Sequence, residues 1–272
     1  EVSKILNQVY RIDNKKQTNK KPLISIVVPV FEGELFINKF LDQYANQKFT
    51  DYELILVDDK SNDKSFEIIE SYLSRFENIT QISNLRNFGP GTTRNIGLSH
   101  ARGEYVIFQD VDDLPESDSL TIFSDEIKKH NKPDMILHPF KVLKADYSYY
   151  WSSKKIEELP NVTYNGLEIL ELLSKSIVNP APWNKMFKRS VWTNNKIQFT
   201  PWIHHQDLST IPYASYKCDK IILLKNHLYN YYTNENGITQ TVTDKHVYSA
   251  FTSPIHLYDR FKLDSTFNND IK

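Results

Sequence analysis

EYVIFQDVDD, residues 104–113, joins a short apolar run to a cluster of carboxylates. Such a run is typical of a buried strand, and an open α/β sheet binds its ligands at the carboxyl ends of its strands. Closely spaced carboxylates repel one another unless a cation lies among them or one of them keeps its proton. Hard oxygen ligands suit Mg²⁺ or Mn²⁺, which usually complete their coordination with phosphate oxygens. This stretch favours a metal–diphosphate site, although a solvated turn would be the simpler explanation for an isolated Asp-x-Asp pattern.

Buried strands and amphipathic helices alternate through the eighty residues before this stretch. Apolar runs predict strands at 23–30, 52–57, 79–83 and 104–109. Helical spacing of apolar residues predicts helices at 34–46, 63–76 and 91–101. This alternation is typical of an α/β fold with a doubly wound, mostly parallel sheet flanked by helices. After Pro115 the pattern loosens, with a helix predicted at 117–130 and strands at 134–143 and 220–224.

Bulk properties narrow the class of protein. A chain of 272 residues suits one large domain with small extensions, and a net charge of −1 without a basic stripe gives no indication of a nucleic-acid partner. The single cysteine, Cys218, excludes an intramolecular disulfide and is most simply a buried thiol. No apolar run reaches the length of a membrane span and no signal-peptide pattern opens the chain. We therefore expect a cytoplasmic location, and peripheral association with the inner face of the cell membrane is compatible with it.

Each predicted strand ends in residues suited to holding part of a nucleotide. The first exit carries Pro29 and Phe31, the second carries Asp58 and Asp59, and the fourth is the acidic cluster. The third exit is the segment Asn87-Phe88-Gly89-Pro90-Gly91-Thr92-Thr93-Arg94-Asn95, whose glycines let the backbone approach a ligand. Four consecutive exits with such groups favour a nucleotide site over a set of unrelated turns.

Two other enzyme classes that use α/β sheets fit less well. A nucleotidyltransferase would need a Gly-rich loop with a Lys or Arg soon after the first strand, where this chain has Glu32-Gly33-Glu34. A dinucleotide-dependent dehydrogenase would need Gly-x-Gly-x-x-Gly after a strand, and the sequence contains none.

The motifs, taken together, resemble those of inverting family 2 glycosyltransferases, which have the GT-A fold. The segments that carry the resemblance are Ile26-Val27-Val28-Pro29-Val30-Phe31, Leu56-Val57-Asp58-Asp59-Lys60-Ser61, Asn87-x-Gly89 with Arg94-Asn95, Gly103-Glu104-Tyr105 and Asp110-Val111-Asp112-Asp113. A weaker resemblance continues to about Thr239 through Pro182-Trp183-Asn184-Lys185-Met186-Phe187, Gln206-Asp207 and Leu228-Tyr229-Asn230-Tyr231-Tyr232.

The resemblance implies a role for particular residues. Asp59 would hold the uracil ring, Asp112 would bind Mn²⁺ or Mg²⁺, and Asp207 would be the catalytic base. Further nucleotide-binding residues would be Pro29, Phe31, Asn87, Arg94 and Asp110. Candidates for contact with the acceptor or the donor sugar are Asp113, Trp183, Lys185, His205 and Gln206. Some members of the family supply a late histidine to the metal, for which His204, His205 and His246 are candidates here.

The resemblance also implies an organisation and a reaction. Residues 1–21 would form an N-terminal helix and linker, 22–115 the nucleotide-sugar-binding half, 116–245 the acceptor-binding half and 246–272 a helical tail, truncated if the chain is a fragment. The enzyme would move a hexosyl or N-acetylhexosaminyl group from a UDP-sugar to a glycan, a lipid-linked glycan or a polyol phosphate in bacterial surface-polymer assembly. The alternative is a catalytically impaired sugar-nucleotide-binding or scaffold domain, because Gln206 stands where the family usually has Glu.

Overall fold

The computed structural model describes residues 10–144, 148–233 and 243–270. Its strands are β1 (Tyr10–Lys16), β2 (Ile24–Val30), β3 (Tyr52–Asp58), β4 (Ile79–Asn84), β5 (Tyr105–Phe108), β6 (Leu114–Pro115), β7 (Met135–Leu137), β8 (Lys141–Leu143), β9 (Tyr149–Ser152), β10 (Thr163–Tyr164), β11 (Lys185–Lys188), β12 (Ile221–Leu223) and β13 (Tyr229–Tyr232). Its α-helices are α1 (Ile37–Ala45), α2 (Ser65–Tyr72), α3 (Pro90–His100), α4 (Ser119–Lys129), α5 (Lys154–Glu157), α6 (Gly166–Ser174), α7 (Arg189–Asn194), α8 (Ile211–Tyr216), α9 (Asp244–Leu263) and α10 (Ser265–Asp270).

The larger sheet has the strand order β1-β4-β3-β2-β5-β11-β7-β12-β10. Strands β4, β3, β2 and β5 are parallel neighbours, as the alternating sequence predicts. Strand β11 pairs antiparallel with both β5 and β7, so it joins the two halves of the domain in one sheet. Because the parallel strands share one direction, their four exits lie along one edge of the sheet.

The core fills both faces of this sheet, which explains why the strands are apolar almost throughout. On β2, Ile24, Ile26 and Val28 belong to the cluster under α1, α2 and α4, whereas Val27 packs with α3, α7 and α8 on the other face. Burying one such Val or Ile side chain contributes about 1.5–3 kcal/mol to folding. The two-sided burial holds the strand exits in fixed positions.

A smaller sheet, in the order β6-β13-β8-β9, lies directly after the acidic cluster. Tyr229 of β13 pairs with Pro115, and Asn230 pairs with both Leu114 and Lys141. The strand predicted at 134–143 is in fact two strands in different sheets, because His138, Pro139 and Phe140 interrupt it. Pro139 cannot donate a backbone hydrogen bond to a ladder, which accounts for the break.

The N-terminal segment differs from its prediction. Residues 1–9, where a helix is predicted, lie outside the described residues. Residues Tyr10–Lys16, which include part of the predicted linker, instead form β1 at the sheet edge, antiparallel to β4. The sequence of a polar edge strand gives only a weak indication of strand structure, because one face of the strand is in water and few of its residues are apolar.

Helices form the C-terminal tail, as predicted. Helix α9 docks on the loop at 204–205: Ser249 Oγ accepts from the backbone N–H of His204, and Ser253 Oγ donates to the carbonyl of His205. In the part of the chain that the structure describes, no helix combines the length and hydrophobicity needed to cross a membrane.

Candidate active site

The acidic cluster at the exit of β5 divides into carboxylates that reach solvent and one that does not. The side chain of Asp110 is 29% exposed and pairs with Arg94. Asp112 is also partly exposed. These two side chains, at the carboxyl edge of the parallel strands, are the ones available to a ligand.

Asp113, a predicted contact for the acceptor or the donor sugar, is the buried member of the cluster. It is 1% exposed, with Oδ2 accepting from the Tyr229 hydroxyl at 2.6 Å and Oδ1 accepting from the backbone N–H of Tyr232 at 2.8 Å. Burial, together with the charges of Asp112 and Asp110, raises the pKa of Asp113 well above its usual range. Asp113 therefore anchors the acidic turn to β13 through both of its carboxylate oxygens. Sequence reasoning missed this role of Tyr229, because nothing in a Leu-Tyr-x-Tyr segment indicates which partner the hydroxyl has.

Asp59 holds the loop that follows β4. Its Oδ1 accepts from Asn84 Nδ2 at 2.7 Å and from the Phe88 backbone N–H at 2.8 Å, and its Oδ2 accepts from the Gly89 backbone N–H at 2.7 Å. The residue is 3% exposed. The predicted contact with a uracil ring stays a prediction, and such a ring would compete with donors from the chain itself.

The other predicted nucleoside contacts lie at neighbouring exits. Phe31 is 46% exposed, Pro29 is partly exposed, and Asn87 is exposed. The Asn87 side-chain oxygen accepts from the backbone N–H of Gly89 at 3.2 Å. These side chains are accessible to a ligand, as the prediction requires.

Arg94 is ion-paired with the acidic turn, and its charge also acts on Asp207, the predicted base. It lies on α3, is 4% exposed, and its Nη2 donates to Asp110. Its Nε and Nη1 are buried without a hydrogen-bond partner among the described residues. Its positive charge also acts on Asp207, whose pKa it lowers against the larger effect of burial. One guanidinium thus lies within electrostatic reach of both Asp110 and Asp207.

Asp207 follows a tight loop and begins the segment that leads into α8. One carboxylate oxygen accepts from the backbone N–H of Leu208 at 2.9 Å, and its backbone carbonyl accepts from Thr210 and Ile211. Burial raises the pKa of Asp207, while the Leu208 N–H, Arg94 and His205 oppose that shift. Asp207 stays partly accessible to solvent, and a carboxylate with a raised pKa is a stronger proton acceptor than an ordinary one.

Gly91 explains how the two halves come this close. A Cβ at Gly91 would lie 2.7 Å from the carbonyl oxygen of Thr200 and 3.2 Å from the Cβ of Gln206. The absence of a side chain lets the loop that carries Asp207 pack against the first turn of α3. The sequence suggests that Gly91 lets the backbone approach a ligand. Its packing against Thr200 and Gln206 is a role that the sequence does not indicate.

Three further residues that are predicted to contact the acceptor or the donor sugar, Lys185, Trp183 and Gln206, are buried. Lys185 is 0% exposed and its Nζ donates to the carbonyls of Asn179 and Ala181 and to Asn184 Oδ1, each at 2.8 Å. Burial lowers the pKa of Lys185 to about 7, and the charge of Asp207 opposes that shift. Because all three ammonium protons are used internally, Lys185 has none left for a sugar.

Trp183 and Gln206 are enclosed as well. Trp183 is 8% exposed and stacks on Tyr229 with ring centroids 4.8 Å apart. Gln206 is 4% exposed, and its Oε1 has no partner among the described residues. Aromatic packing and the Gly91 contact account for these positions. The predicted contact of Trp183 and Gln206 with a sugar stays a prediction.

His205 remains partly exposed beside Asp207, whereas the neighbouring histidines pair with each other. The rings of His204 and His246 stack with centroids 4.2 Å apart, and the His205 ring lies 6.1 Å from that of His246. Burial lowers the pKa of His204 to about 4, with smaller contributions from Lys245 and the other two histidines. Among the described residues, no group of three or more His, Cys, Asp and Glu side chains is arranged to hold a metal ion. The predicted histidine ligand is therefore not identified.

The residues at the acidic turn fit Mg²⁺ or Mn²⁺ in chemistry. Asp110 and Asp112 are hard oxygen donors on a short turn, both open to solvent in part. These ions commonly take one or two protein carboxylates and complete their coordination with water and phosphate oxygens. A site of two carboxylates suits an ion that arrives with a diphosphate.

Comparison with known proteins gives the family. The protein-family model for glycosyl transferase family 2 matches residues 25–193 of this chain. The poly(ribitol-phosphate) beta-glucosyltransferase of Bacillus spizizenii is 32% identical over 239 residues, which are 86% of this chain and 35% of that protein. The poly(ribitol-phosphate) beta-N-acetylglucosaminyltransferase TarS of Staphylococcus aureus is 26% identical over 242 residues, covering 88% of this chain and 39% of that protein. This chain therefore spans well under half the length of these relatives.

Solved structures show the same fold. Residues 1–349 of S. aureus TarS in complex with UDP match with a TM-score of 0.72 and 21% identity, over 90% of this chain and 67% of that one. The same fragment with UDP-GlcNAc matches with a TM-score of 0.71. The expected GT-A architecture is thus confirmed, and the chain belongs to glycosyltransferase family 2.

Proposed function

We propose that the chain contains the catalytic domain of an inverting glycosyltransferase that transfers a sugar from a UDP-sugar to a polyol-phosphate polymer. The observation that carries the proposal is the position of Arg94, which pairs with Asp110 and acts electrostatically on Asp207. The buried Arg94 is therefore ion-paired with a carboxylate of the acidic turn, and its charge also acts on the carboxylate that we propose as the base. Transfer requires both functions within one sugar's width.

The donor side would be built on the acidic turn. Asp112, with Asp110 beside it, would hold Mn²⁺ or Mg²⁺, and a bound ion of this kind stabilises the charge that develops on the diphosphate leaving group. Arg94 orients Asp110 through their ion pair. Asp113 fixes the turn from beneath through Tyr229 and Tyr232.

The acceptor side would depend on Asp207. A hydroxyl of the acceptor attacks the anomeric carbon from the face opposite UDP, and the bond from that carbon to the phosphate oxygen breaks as the new glycosidic bond forms. Asp207 accepts the hydroxyl proton during the attack, which makes the hydroxyl a competent nucleophile. A single displacement inverts the anomeric carbon and needs no covalent enzyme intermediate.

The relatives' names support the substrate classes. They are called glucosyl- and N-acetylglucosaminyltransferases acting on poly(ribitol phosphate), and the TarS structures contain UDP or UDP-GlcNAc. We infer a hexosyl or N-acetylhexosaminyl donor for this chain, and a polyol phosphate ahead of a glycan or a lipid-linked glycan as its acceptor.

UDP release from a panel of UDP-sugars, with and without poly(ribitol phosphate) and Mn²⁺, tests the proposal. We expect release with UDP-glucose or UDP-GlcNAc that the acceptor accelerates. Asp112→Asn should remove the Mn²⁺-dependent part of UDP affinity. Asp125→Asn, an exposed carboxylate of α4 in a weak surface pair with Lys128, is the matched control. Binding of UDP-sugars without any release would instead favour the catalytically impaired domain, and equal UDP affinity with and without Mn²⁺ would exclude the metal role of Asp112.

A further inference from the structure

Two exposed side chains, Arg86 and Trp202, lie against the buried ring of Phe88 at the border between the two halves of the domain. Trp202 is 52% exposed, and its ring meets that of Phe88 edge to face with centroids 5.6 Å apart. The guanidinium carbon of Arg86 lies 4.8 Å from the Phe88 centroid and 5.3 Å from the Trp202 centroid. We refer to Arg86, Phe88 and Trp202 as the Trp202 platform.

The backbone of Trp202 is held in a conformation that its side chain disfavours. Its φ is +67°, in the left-handed region. The other non-glycine residues with positive φ in the described ranges are Glu, Lys, Asn or Ser, so Trp202 is the one large aromatic among them. Because the residue is about half exposed, burial does not explain the strain. Strained residues of this kind are concentrated at ligand sites.

The platform includes an exposed part of the segment that leads to Asp207. Thr200 and Gln206, on either side of Trp202 in the chain, both pack at the Gly91 position. Between them Pro201 and Trp202 are exposed and Ile203 is buried, and Asp207 follows Gln206 in the chain. On the other side, Phe88 belongs to the loop held by Asp59 through its backbone N–H.

The chemistry of the platform suits a chain that alternates phosphates and polyols. Arg86 is exposed and has no carboxylate within ion-pair distance in the parts of the chain that the structure describes. A guanidinium can donate two parallel hydrogen bonds to a phosphodiester, and an exposed indole offers an apolar face with a polar edge. Arg86 and Trp202 are both exposed to solvent, which a polymer needs to extend beyond the reacting unit.

We propose that the Trp202 platform binds the acceptor polymer next to the reacting hydroxyl. Arg86 pairs with a phosphodiester, and the indole of Trp202 packs against the C–H groups of the adjacent polyol. Phe88 supports both side chains from beneath. This inference rests on the proposed function, because it names the surface that presents the polyol-phosphate acceptor to Asp207.

Two substitutions test the platform without requiring a change of fold. Trp202→Gly removes the indole and accepts the left-handed backbone, so we expect an unchanged or higher melting temperature. Arg86→Gln removes the charge. In each variant the KM for poly(ribitol phosphate) should rise about tenfold, while UDP affinity and acceptor-free UDP release stay at wild-type values. Phe251→Ala, an aromatic of α9 that is 73% exposed, is the matched control and should leave the KM unchanged.

Other results would overturn the proposal in recognisable ways. Weaker UDP binding with an unchanged acceptor KM would assign the platform to the nucleoside. A lower melting temperature, with equal losses of affinity for the donor and the acceptor, would assign the platform to folding.

If the wild-type chain releases UDP from no UDP-sugar, the proposed function fails. Direct binding of poly(ribitol phosphate) then tests separately whether the platform binds the polymer. Binding that Trp202→Gly and Arg86→Gln weaken supports it, and binding that they leave unchanged overturns it.

Discussion

The first half of the domain follows its sequence pattern closely, whereas the second half depends more on packing between distant segments. In residues 22–115 the predicted strands lie within two residues of the observed ones, and polar residues at their exits meet along one edge. In the half that follows, short strands from two sheets mix, and Trp183 and Lys185 lie under the surface. A strand exit indicates where a side chain can reach a ligand. A motif in an irregular segment indicates only where the residue is, and its contacts depend on packing.

Asp207→Asn is the variant with the largest expected effect, because it tests whether the irregular half supplies the base. Transfer should fall by about 10²–10⁴-fold, the usual contribution of a general base, since the amide cannot accept the acceptor proton. UDP affinity should stay unchanged. Initial rates and UDP titration measure the two quantities. Weakened UDP binding with surviving turnover would place Asp207 on the donor side.

Lys185→Met tests whether a buried residue of the acceptor half is a support or a ligand. The substitution leaves the three oxygens that Lys185 now binds without their donor, so we expect a loss of about 3 kcal/mol in the free energy of unfolding. Denaturant unfolding measures it, with Lys188→Met at the end of the same strand as control. A stable variant with a raised acceptor KM would restore the sugar-contact role that the resemblance implied.

The pH dependence of transfer tests whether Arg94, in the first half of the domain, affects Asp207, in the second half. We expect a smaller effect than for the two substitutions above. Because burial raises the pKa of Asp207, the acid limb of kcat/KM should lie above the range of an ordinary aspartate: below the raised pKa the carboxyl is protonated and accepts no proton. Arg94 lowers that pKa, so Arg94→Gln should move the limb to higher pH. If the acid limb lies at the same pH in the wild type and the variant, Arg94 does not affect the pKa of the base.

Much of the fold was predictable because it depends on local periodicity. The runs of β2, β3 and β5 are buried on both faces and could be assigned from their apolar residues alone. Strand β11 was missed, because four residues that begin with a lysine carry no strand signal and the pairing with β5 and β7 is long-range. The edge strand β1 was missed because its side chains are largely polar.

The structure connects some of the predicted site residues, whose roles stay predictions. Arg94 pairs with Asp110, and its charge acts on Asp207, which lies more than a hundred residues away in the chain. The separate role of Asp113 was not predictable, because only the tertiary fold brings Tyr229 to its carboxylate. The packing of Gly91 against Thr200 likewise depends on a contact between distant segments.

A crystal structure of the chain with UDP and Mn²⁺ would show whether the acidic turn and Asp207 lie on opposite sides of one donor. We expect the ion at Asp112 in contact with the diphosphate, Arg94 still beside Asp110, and the Asp207 carboxylate across the cleft on the side from which the acceptor enters. An acidic turn without a metal ion in that complex, or an Asp207 side chain turned away from the nucleotide, would contradict it.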